Sequence, residues 1–138
     1  MKTKAIHNIK AAEALIDKAE EGYYTASIHH VYYAVFQYMK HELAHTDVEP
    51  LSYEEQTVKA KEHRMGSHDF IIKEIKRRIG RLANLDTAKD FARDVRELKG
   101  DRIDADYRSR QFTLEESLAC KRLAEELITK LKTYFGDL

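Results

Sequence analysis

The sequence predicts an all-α protein, an up-and-down four-helix bundle with an additional short helix, folded as a single domain over residues 1–138. Two observations favour this class. Apolar residues recur every three or four positions along most of the chain, which is the spacing of one face of a helix. The chain has only five Gly and one Pro, and no segment shows the apolar-polar alternation of a strand.

The first helix is predicted over about residues 4–20, and Gly22 is expected to end it. Only a tight turn then leads to the next helix, so the two should pack antiparallel. The predicted inner face of the first helix carries four residues at offsets 0, 3, 7 and 10: Ile9, Ala12, Ile16 and Ala19.

The segment Gly22–Leu43 is predicted to be the central helix, because it is apolar over so much of its surface that it must be covered on more than one side. Its tyrosines bring hydroxyl groups that need partners or a wet edge. This face is therefore core, cleft or dimer interface. Two adjacent stripes compose it: Ile28, Tyr32, Val35, Met39 and Leu43, and beside them Ala26, His30, Tyr33, Phe36 and Gln37.

The segment Thr46–Arg64, which contains Pro50, is predicted to be the longest connection, with room for a short helical turn. Ser67 is the predicted N-cap of a third helix. The inner face of that helix is predicted to hold Ile72, Ile75, Ile79 and Leu82. Its opposite face is basic and is interpreted either as a solvated surface or as a nucleic-acid contact: Lys73, Lys76, Arg77 and Arg81.

Asp86 or Thr87 is predicted to cap a fourth helix, which carries apolar residues on one side and continues toward Tyr107. Thr113 and Glu116 have the spacing of a capping box and predict the start of the last helix. Five helices result. The apolar residues of the last two are Phe91, Val95 and Leu98, and then Leu114, Leu118, Leu127, Leu131 and Phe135.

The composition excludes several classes of function. Lys plus Arg and Asp plus Glu number 24 each, so no overall positive field recruits nucleic acid, and any such binding needs a local patch. The single cysteine, Cys120, excludes an internal disulfide and a cysteine zinc cluster, and we interpret it as a small buried thiol in a reducing compartment. No secretory or transmembrane segment is apparent, which predicts a soluble, cytoplasmic protein.

Two segments carry a resemblance to a known family. The first comprises Gly22–Tyr24 (GYY), Ala26 and Tyr32–Phe36 (YYAVF). The second is Arg102–Tyr107 (RIDADY), followed by a Thr-capped helix with Glu115, Glu116 and Ala119. In this order and separation they resemble the HEPN domain family of prokaryotic helical proteins, over nearly the whole chain.

The resemblance implies a four-helix up-and-down bundle with a short fifth helix, usually a homodimer. It also implies an association with RNA cleavage and with small nucleotidyltransferases, often as a toxin–antitoxin or defence pair. We therefore interpret the chain mainly as a module that binds RNA, a nucleotide or a nucleotidyltransferase partner. It needs no cofactor in this interpretation.

The second segment also has a physical interpretation. Arg102 and Asp106 are four residues apart on a helix, as are Asp104 and Arg108, so each pair can form an ion pair along the surface. Tyr107 lies where the fourth helix ends and can dock on the bundle while its hydroxyl stays polar. Two interpretations remain open. These three residues either stabilise the end of the fourth helix or bind a ligand: Arg102, Asp106 and Tyr107.

RNA-cleaving members of the family resemble one another in an Arg, four to six further residues and a His near the start of the third helix. A His transfers protons near neutral pH, and an Arg neutralises the developing phosphorane charge. Here Arg64 and His68 are separated by only three residues, so the strict motif is absent. A metal-independent ribonuclease using this pair is the alternative function. Two other interpretations of this helix start stay open: a phosphate or nucleotide contact that includes His63 and Ser67 without cleavage, and a solvated surface loop capped by Ser67.

The segment His41-Glu42-Leu43-Ala44-His45 is a literal HExxH and gives a less favoured alternative, a zinc hydrolase with His41 and His45 as ligands. The third ligand would have to come from Glu49, Glu54 or Glu55, in a loop without a second motif.

A second pair, His29 and His30, points in directions about 100 degrees apart and cannot face one site. We predict a hydrogen-bonded core or interface position for His30.

Overall fold

The computed structural model describes all residues 1–138 and contains six α-helices and no strand, which confirms the all-α class. One helix more than predicted forms, because the connection after the central helix contains a ten-residue helix rather than a turn. The helices are α1 (Lys2–Asp17), α2 (Glu21–His45), α3 (Tyr53–Glu62), α4 (Ser67–Leu82), α5 (Leu85–Tyr107) and α6 (Leu114–Phe135).

Helix α2 is the central helix, as predicted, and packs against α1, α4, α5 and α6 while also touching α3. Its first predicted stripe is completely buried, from Ile28 to Leu43. Burying a large apolar side chain contributes roughly 1.5–3 kcal/mol, so this stripe is the main anchor of the core. The second stripe is mixed: Phe36 is buried, Tyr33 is half-buried and Ala26 is exposed. That stripe faces the edge of the bundle.

The α1–α2 turn differs from the prediction. Helix α1 ends at Asp17, and Ala19 lies in the turn with φ 56, so it is exposed rather than on the inner face. Gly22 does not end α1 but lies in the first turn of α2. The polar residue Asn8 joins the two helices, because its side-chain amide donates to Gln37 Oε1 at 2.8 Å.

The starts of three helices test the capping predictions. The N-cap of α4 is Gly66, and Ser67 is already the first helical residue, so the predicted cap was wrong by one position. Helix α5 is capped by Asn84, whose side chain accepts a hydrogen bond from the Thr87 amide, rather than by Asp86 or Thr87. The capping box of α6 is confirmed, with both reciprocal hydrogen bonds between Thr113 and Glu116.

The predicted inner face of α4 is confirmed except at its end. Ile72, Ile75 and Ile79 are fully buried, whereas Leu82 is 55% exposed. Helix α4 ends at Leu82, so the helical periodicity no longer carries that side chain over the core.

Buried polar side chains attach α3 and its connection to the bundle. Gln56 donates to the backbone oxygens of Lys40 and Leu51 at 3.0 and 2.9 Å. Arg78 is buried and donates to the backbone oxygens of Val48 and Glu49 at 2.8 and 2.7 Å. These bonds satisfy backbone groups that the irregular connection cannot satisfy by itself.

Cys120 is a buried free thiol, as predicted, and its Sγ lies 3.5 Å from Asp101 Oδ2. Burial, with the Asp101 carboxylate beside it, raises the pKa of this thiol to about 12. It therefore carries no thiolate at neutral pH. Separately, none of the helices combines the length and the apolar composition required to cross a membrane.

Candidate functional site

His68 lies in the first turn of α4 and packs against the aromatic face of α2. Its ring stacks on Phe36 with 4.0 Å between centroids and 4° between planes, and its Nδ1 lies 2.7 Å from the Tyr32 hydroxyl. Burial lowers the pKa of His68 to about 4, and the positive charges of Arg102 and Lys99 lower it further. The imidazole is therefore neutral at physiological pH.

The bond between Tyr32 and His68 determines the tautomer of the imidazole. Burial raises the pKa of Tyr32, so the phenol keeps its proton. Because Tyr32 is fully buried and His68 is the hydroxyl's one hydrogen-bond partner, the hydroxyl is satisfied when it donates to Nδ1. The ring proton is then assigned to Nε2. In this tautomer His68 presents a hydrogen-bond donor rather than a base.

Arg102 projects from α5 toward the same face, with 9% of its side chain exposed. Its guanidinium carbon lies 5.3 Å from the ring centroid of Tyr32, 5.4 Å from that of Tyr33 and 5.9 Å from that of Tyr107. The predicted pair with Asp106 is present, with 3.6 Å between Nη1 and Oδ2. This distance exceeds that of a good hydrogen bond, and the buried Nε has no partner at all.

Asp106 is shared between Arg102 and a histidine. His29 Nδ1 lies 2.8 Å from the Asp106 Oδ2 that also faces Arg102. The His29 ring in turn lies 4.7 Å from the ring of Tyr33. The carboxylate is thus held more closely by His29 than by Arg102. We call this group the His68–Arg102 cluster, and it consists of His29, Tyr33, His68, Arg102, Asp106 and Tyr107.

The cluster is open to solvent on the side of its rings. Tyr107, for which docking on the bundle was predicted, is 73% exposed, and its ring centroid lies 5.9 Å from the Arg102 guanidinium carbon. The other predicted pair of this segment, Asp104 and Arg108, does not form, because Asp104 pairs with Arg110 at 3.1 Å. A nearly buried cation next to one exposed ring, that of Tyr107, suits a ligand that has both a phosphate and a base.

The four residues predicted around the start of α4 do not form one group. His63 stacks on Phe70 and lines a groove between α3 and α4, whereas His68 contacts α2. Arg64 is exposed in the α3–α4 turn with φ 54, and its side chain makes no hydrogen bond or ion pair. Ser67 is also exposed. Of the four, only His68 belongs to the cluster.

The HExxH segment does not fit a zinc site. His41 and Glu42 are buried, whereas His45 is exposed and its Nδ1 lies 2.9 Å from the backbone oxygen of His41. No group of three or more His, Cys, Asp or Glu side chains in the structure could hold a metal ion, so Glu49, Glu54 and Glu55 supply no third ligand.

His30 occupies the position predicted for it. It is half-buried, and its Nδ1 lies 2.7 Å from Asn8 Oδ1. His29, its neighbour, is the residue that sequence reasoning missed. The acceptor of His29 is 77 residues away along the chain, and no local pattern indicates that contact.

Comparison with known proteins gives one match. The family model described as the HEPN domain matches residues 1–134 of the 138. Neither the curated proteins nor the solved structures give a significant match.

Proposed function

The chain belongs to the HEPN domain family, and we propose that it is a binding module for RNA or a nucleotide, with the His68–Arg102 cluster as its contact site. The observation that carries this proposal is the state of Arg102. Its side chain is more than nine-tenths buried, its Nε has no partner, and its nearest carboxylate is 3.6 Å away. No donor of this guanidinium forms a hydrogen bond within the chain, and its Nη atoms, unlike the buried Nε, are the donors that a phosphate can reach.

The exposed rings of the cluster support a ligand with bases. Tyr107 and His29 are accessible, and Tyr33 contacts both the His29 ring and the Arg102 guanidinium. Stacking on such rings contributes about 1–3 kcal/mol per base and tolerates any base. Single-stranded RNA is the polymer that presents a phosphate and an unstacked base together.

The tautomer of His68 favours binding over cleavage. With Nδ1 accepting from Tyr32, the Nε2 proton can be donated to a phosphate oxygen, and no lone pair is free to remove a proton. A second candidate function, metal-independent RNA cleavage with Arg64 and His68, is favoured by one observation. That observation is membership of the HEPN domain family, which is associated with RNA cleavage. The low pKa of His68, about 4, counts against cleavage, because it makes the imidazole a weak base at neutral pH.

The biological setting belongs to the same proposal. The protein works in the cytoplasm as a homodimer, beside a nucleotidyltransferase partner, in a toxin–antitoxin or defence system. Membership of the family supports this part.

The proposal is tested by the binding of a labelled pool of single-stranded RNA, and separately of mononucleotides, in the presence of a chelator. Arg102→Gln should weaken binding of the ligand by about tenfold or more, because a charge-assisted contact is lost. Arg122→Gln is the matched control, since Arg122 is exposed on α6. Circular dichroism checks the fold of each variant. Equal affinities for both variants and the wild type would refute the proposal.

The same samples distinguish the second candidate. RNA that is cleaved in chelator by the wild type, but not by Arg64→Ala or His68→Gln, would establish a nuclease. RNA that is bound and stays intact would support the binding module.

A further inference from the structure

A second concave surface lies between α3 and α4, apart from the His68–Arg102 cluster. It is a groove of about 950 Å³, and none of the residues lining it belongs to the cluster. Its floor is apolar and is formed by Leu51, Met65 and Phe70, with Leu85 at the rim. Leu85 is 60% exposed, so the apolar surface of the groove reaches solvent at its rim.

The walls of the groove are cationic. Six cations and two carboxylates line it, and four of the cations follow one side of α4 from Lys73 to Arg81, over about 12 Å. Lys59 faces them from α3. The cations are Lys59, Lys73, Lys76, Arg77, Arg78 and Arg81, and the carboxylates are Glu49 and Glu74.

The ion pairs within the groove show which of these charges are available. Arg77 and Arg81 lie 3.5 and 3.4 Å from Glu49 Oε2, and that glutamate side chain is 60% exposed. Lys59, Lys73 and Lys76 form no ion pair with any carboxylate of the chain. The groove therefore has three unpaired cations and a carboxylate, Glu49, that already occupies the position an incoming acidic side chain would take.

We infer that this groove docks an acidic amphipathic helix of a partner protein. The apolar floor takes the apolar face of that helix, and the cations of α3 and α4 pair with carboxylates spaced by one turn along its flanks. Nucleic acid fits less well, because base stacking needs open rings. His63 is the one exposed ring in the groove, and the Phe70 beneath it is 5% exposed.

The test uses a designed probe, a labelled helical peptide with Leu on one face and Glu at the flanking positions, measured by fluorescence anisotropy. A peptide with Gln in place of each Glu is its control. The double variant Lys73→Glu/Lys76→Glu should bind the Glu peptide about tenfold more weakly or worse. Lys10→Glu/Lys130→Glu makes the same change in net charge at exposed positions outside the groove and should change the affinity less than twofold.

Two further measurements complete the design. Glu49→Gln should strengthen binding of the Glu peptide, since it removes the carboxylate that competes for Arg77 and Arg81. Arg102→Gln should leave peptide binding unchanged, because Arg102 does not line the groove. A failed prediction for RNA binding can therefore be distinguished from a failed prediction for peptide binding. The inference is overturned if the Glu peptide does not bind at low ionic strength, if both double variants weaken it equally, or if the groove variant loses affinity for RNA instead of for the peptide.

Discussion

Helix α2 carries two groups of histidine and tyrosine side chains, and they have opposite surroundings. Toward its N-terminal half, His29, Tyr32 and Tyr33 meet polar partners from α4 and α5, and a cation lies among them. Toward its C-terminal half, Tyr38 and Glu42 lie in the core with polar atoms that have no partner. Of the literal catalytic motif in this half, His41 and Glu42 are buried and only His45 is exposed.

The difference shows what a sequence motif leaves unspecified. HExxH guarantees that two imidazoles lie one turn apart, but it does not guarantee solvent access or a third ligand. The His68–Arg102 cluster has no such motif, yet it combines an accessible surface, a cation with a free donor and neutral donor groups. The proposed phosphate contact rests on these properties.

The largest expected effect concerns Glu42, which is fully buried and whose two oxygens lack partners. Burial raises its pKa to about 7, so the folded state holds the proton more tightly than the unfolded chain. The contribution of Glu42 to the free energy of unfolding should therefore fall by roughly 3 kcal/mol as pH rises from about 4.5 to 7, and stay low at higher pH. His68, whose pKa is lowered to about 4, contributes in the opposite sense below about pH 6.5. The Glu42 contribution is therefore measured as a difference between a variant and the wild type.

The variant Glu42→Met should lack this contribution, so that its stability relative to the wild type rises between pH 5 and pH 8, and at pH 8 it should be more stable than the wild type by roughly 3 kcal/mol. Urea unfolding at pH 5 and pH 8 measures both values. Glu126→Met, at an exposed position of α6, is the matched control and should keep the wild-type slope. A Glu42→Met protein with an unchanged slope would show that Glu42 is not the buried acid described here.

The next effect concerns Tyr107, the most exposed ring of the cluster. Tyr107→Ala should weaken RNA binding by about tenfold, within the 1–3 kcal/mol expected for one stacked base, while Tyr107→Phe should stay within about twofold. Tyr23→Ala, which also removes an exposed tyrosine of 39% exposure, serves as the control. Filter binding or fluorescence anisotropy measures the RNA affinity. Equal losses of affinity in the Ala and Phe variants would show that the hydroxyl, and not the ring, makes the contact.

A smaller effect compares two buried hydroxyls on α2. Tyr32→Phe leaves Nδ1 of His68 without its donor and should cost about 1 kcal/mol of unfolding free energy. Tyr38→Phe removes a hydroxyl that has no hydrogen-bond partner and should stay within about 0.5 kcal/mol of the wild type. Chemical denaturation of the two variants tests the difference, and a larger loss for Tyr38→Phe would reverse the comparison.

The smallest effect is expected at the exposed histidine of HExxH. His45→Ala should leave the zinc content of the protein unchanged. It should change the free energy of unfolding by no more than about 0.5 kcal/mol. Elemental analysis of protein purified without added zinc measures the first quantity. Stoichiometric zinc that disappears in the variant would contradict the description of this half of α2.

The fold was largely predictable because its signals are local. The buried stripe of α2 and the capping box at Thr113 follow from residues within a few turns of one another. Helix α3 was missed since only Gln56 and Ala60 are buried in it, which is too few to show a period. One signal was present, however: Ser52 and Glu55 have the spacing of an N-cap, and the Glu55 amide donates to the Ser52 hydroxyl at 3.1 Å.

The candidate site was predictable only in pieces. Arg102, Asp106 and Tyr107 share one helix end, so their association could be predicted from spacing. His68 lies near them because α4 packs on α2, which is a tertiary contact. The sequence prediction paired His68 with Arg64 instead, because the two are neighbours in sequence. In the structure His68 contacts Tyr32, whereas Arg64 is exposed to solvent.

The seven histidines of the chain allow the most direct test, because both halves of α2, the start of α4 and the α3–α4 groove each carry at least one of them. Their imidazole resonances can be followed by NMR while a short single-stranded RNA is added in chelator. We expect the signals of His29 and His68 to shift at saturation and those of His41 and His45 to stay in place. Shifts confined to His41 and His45, or to His63, would contradict the assignment of the ligand site to the His68–Arg102 cluster.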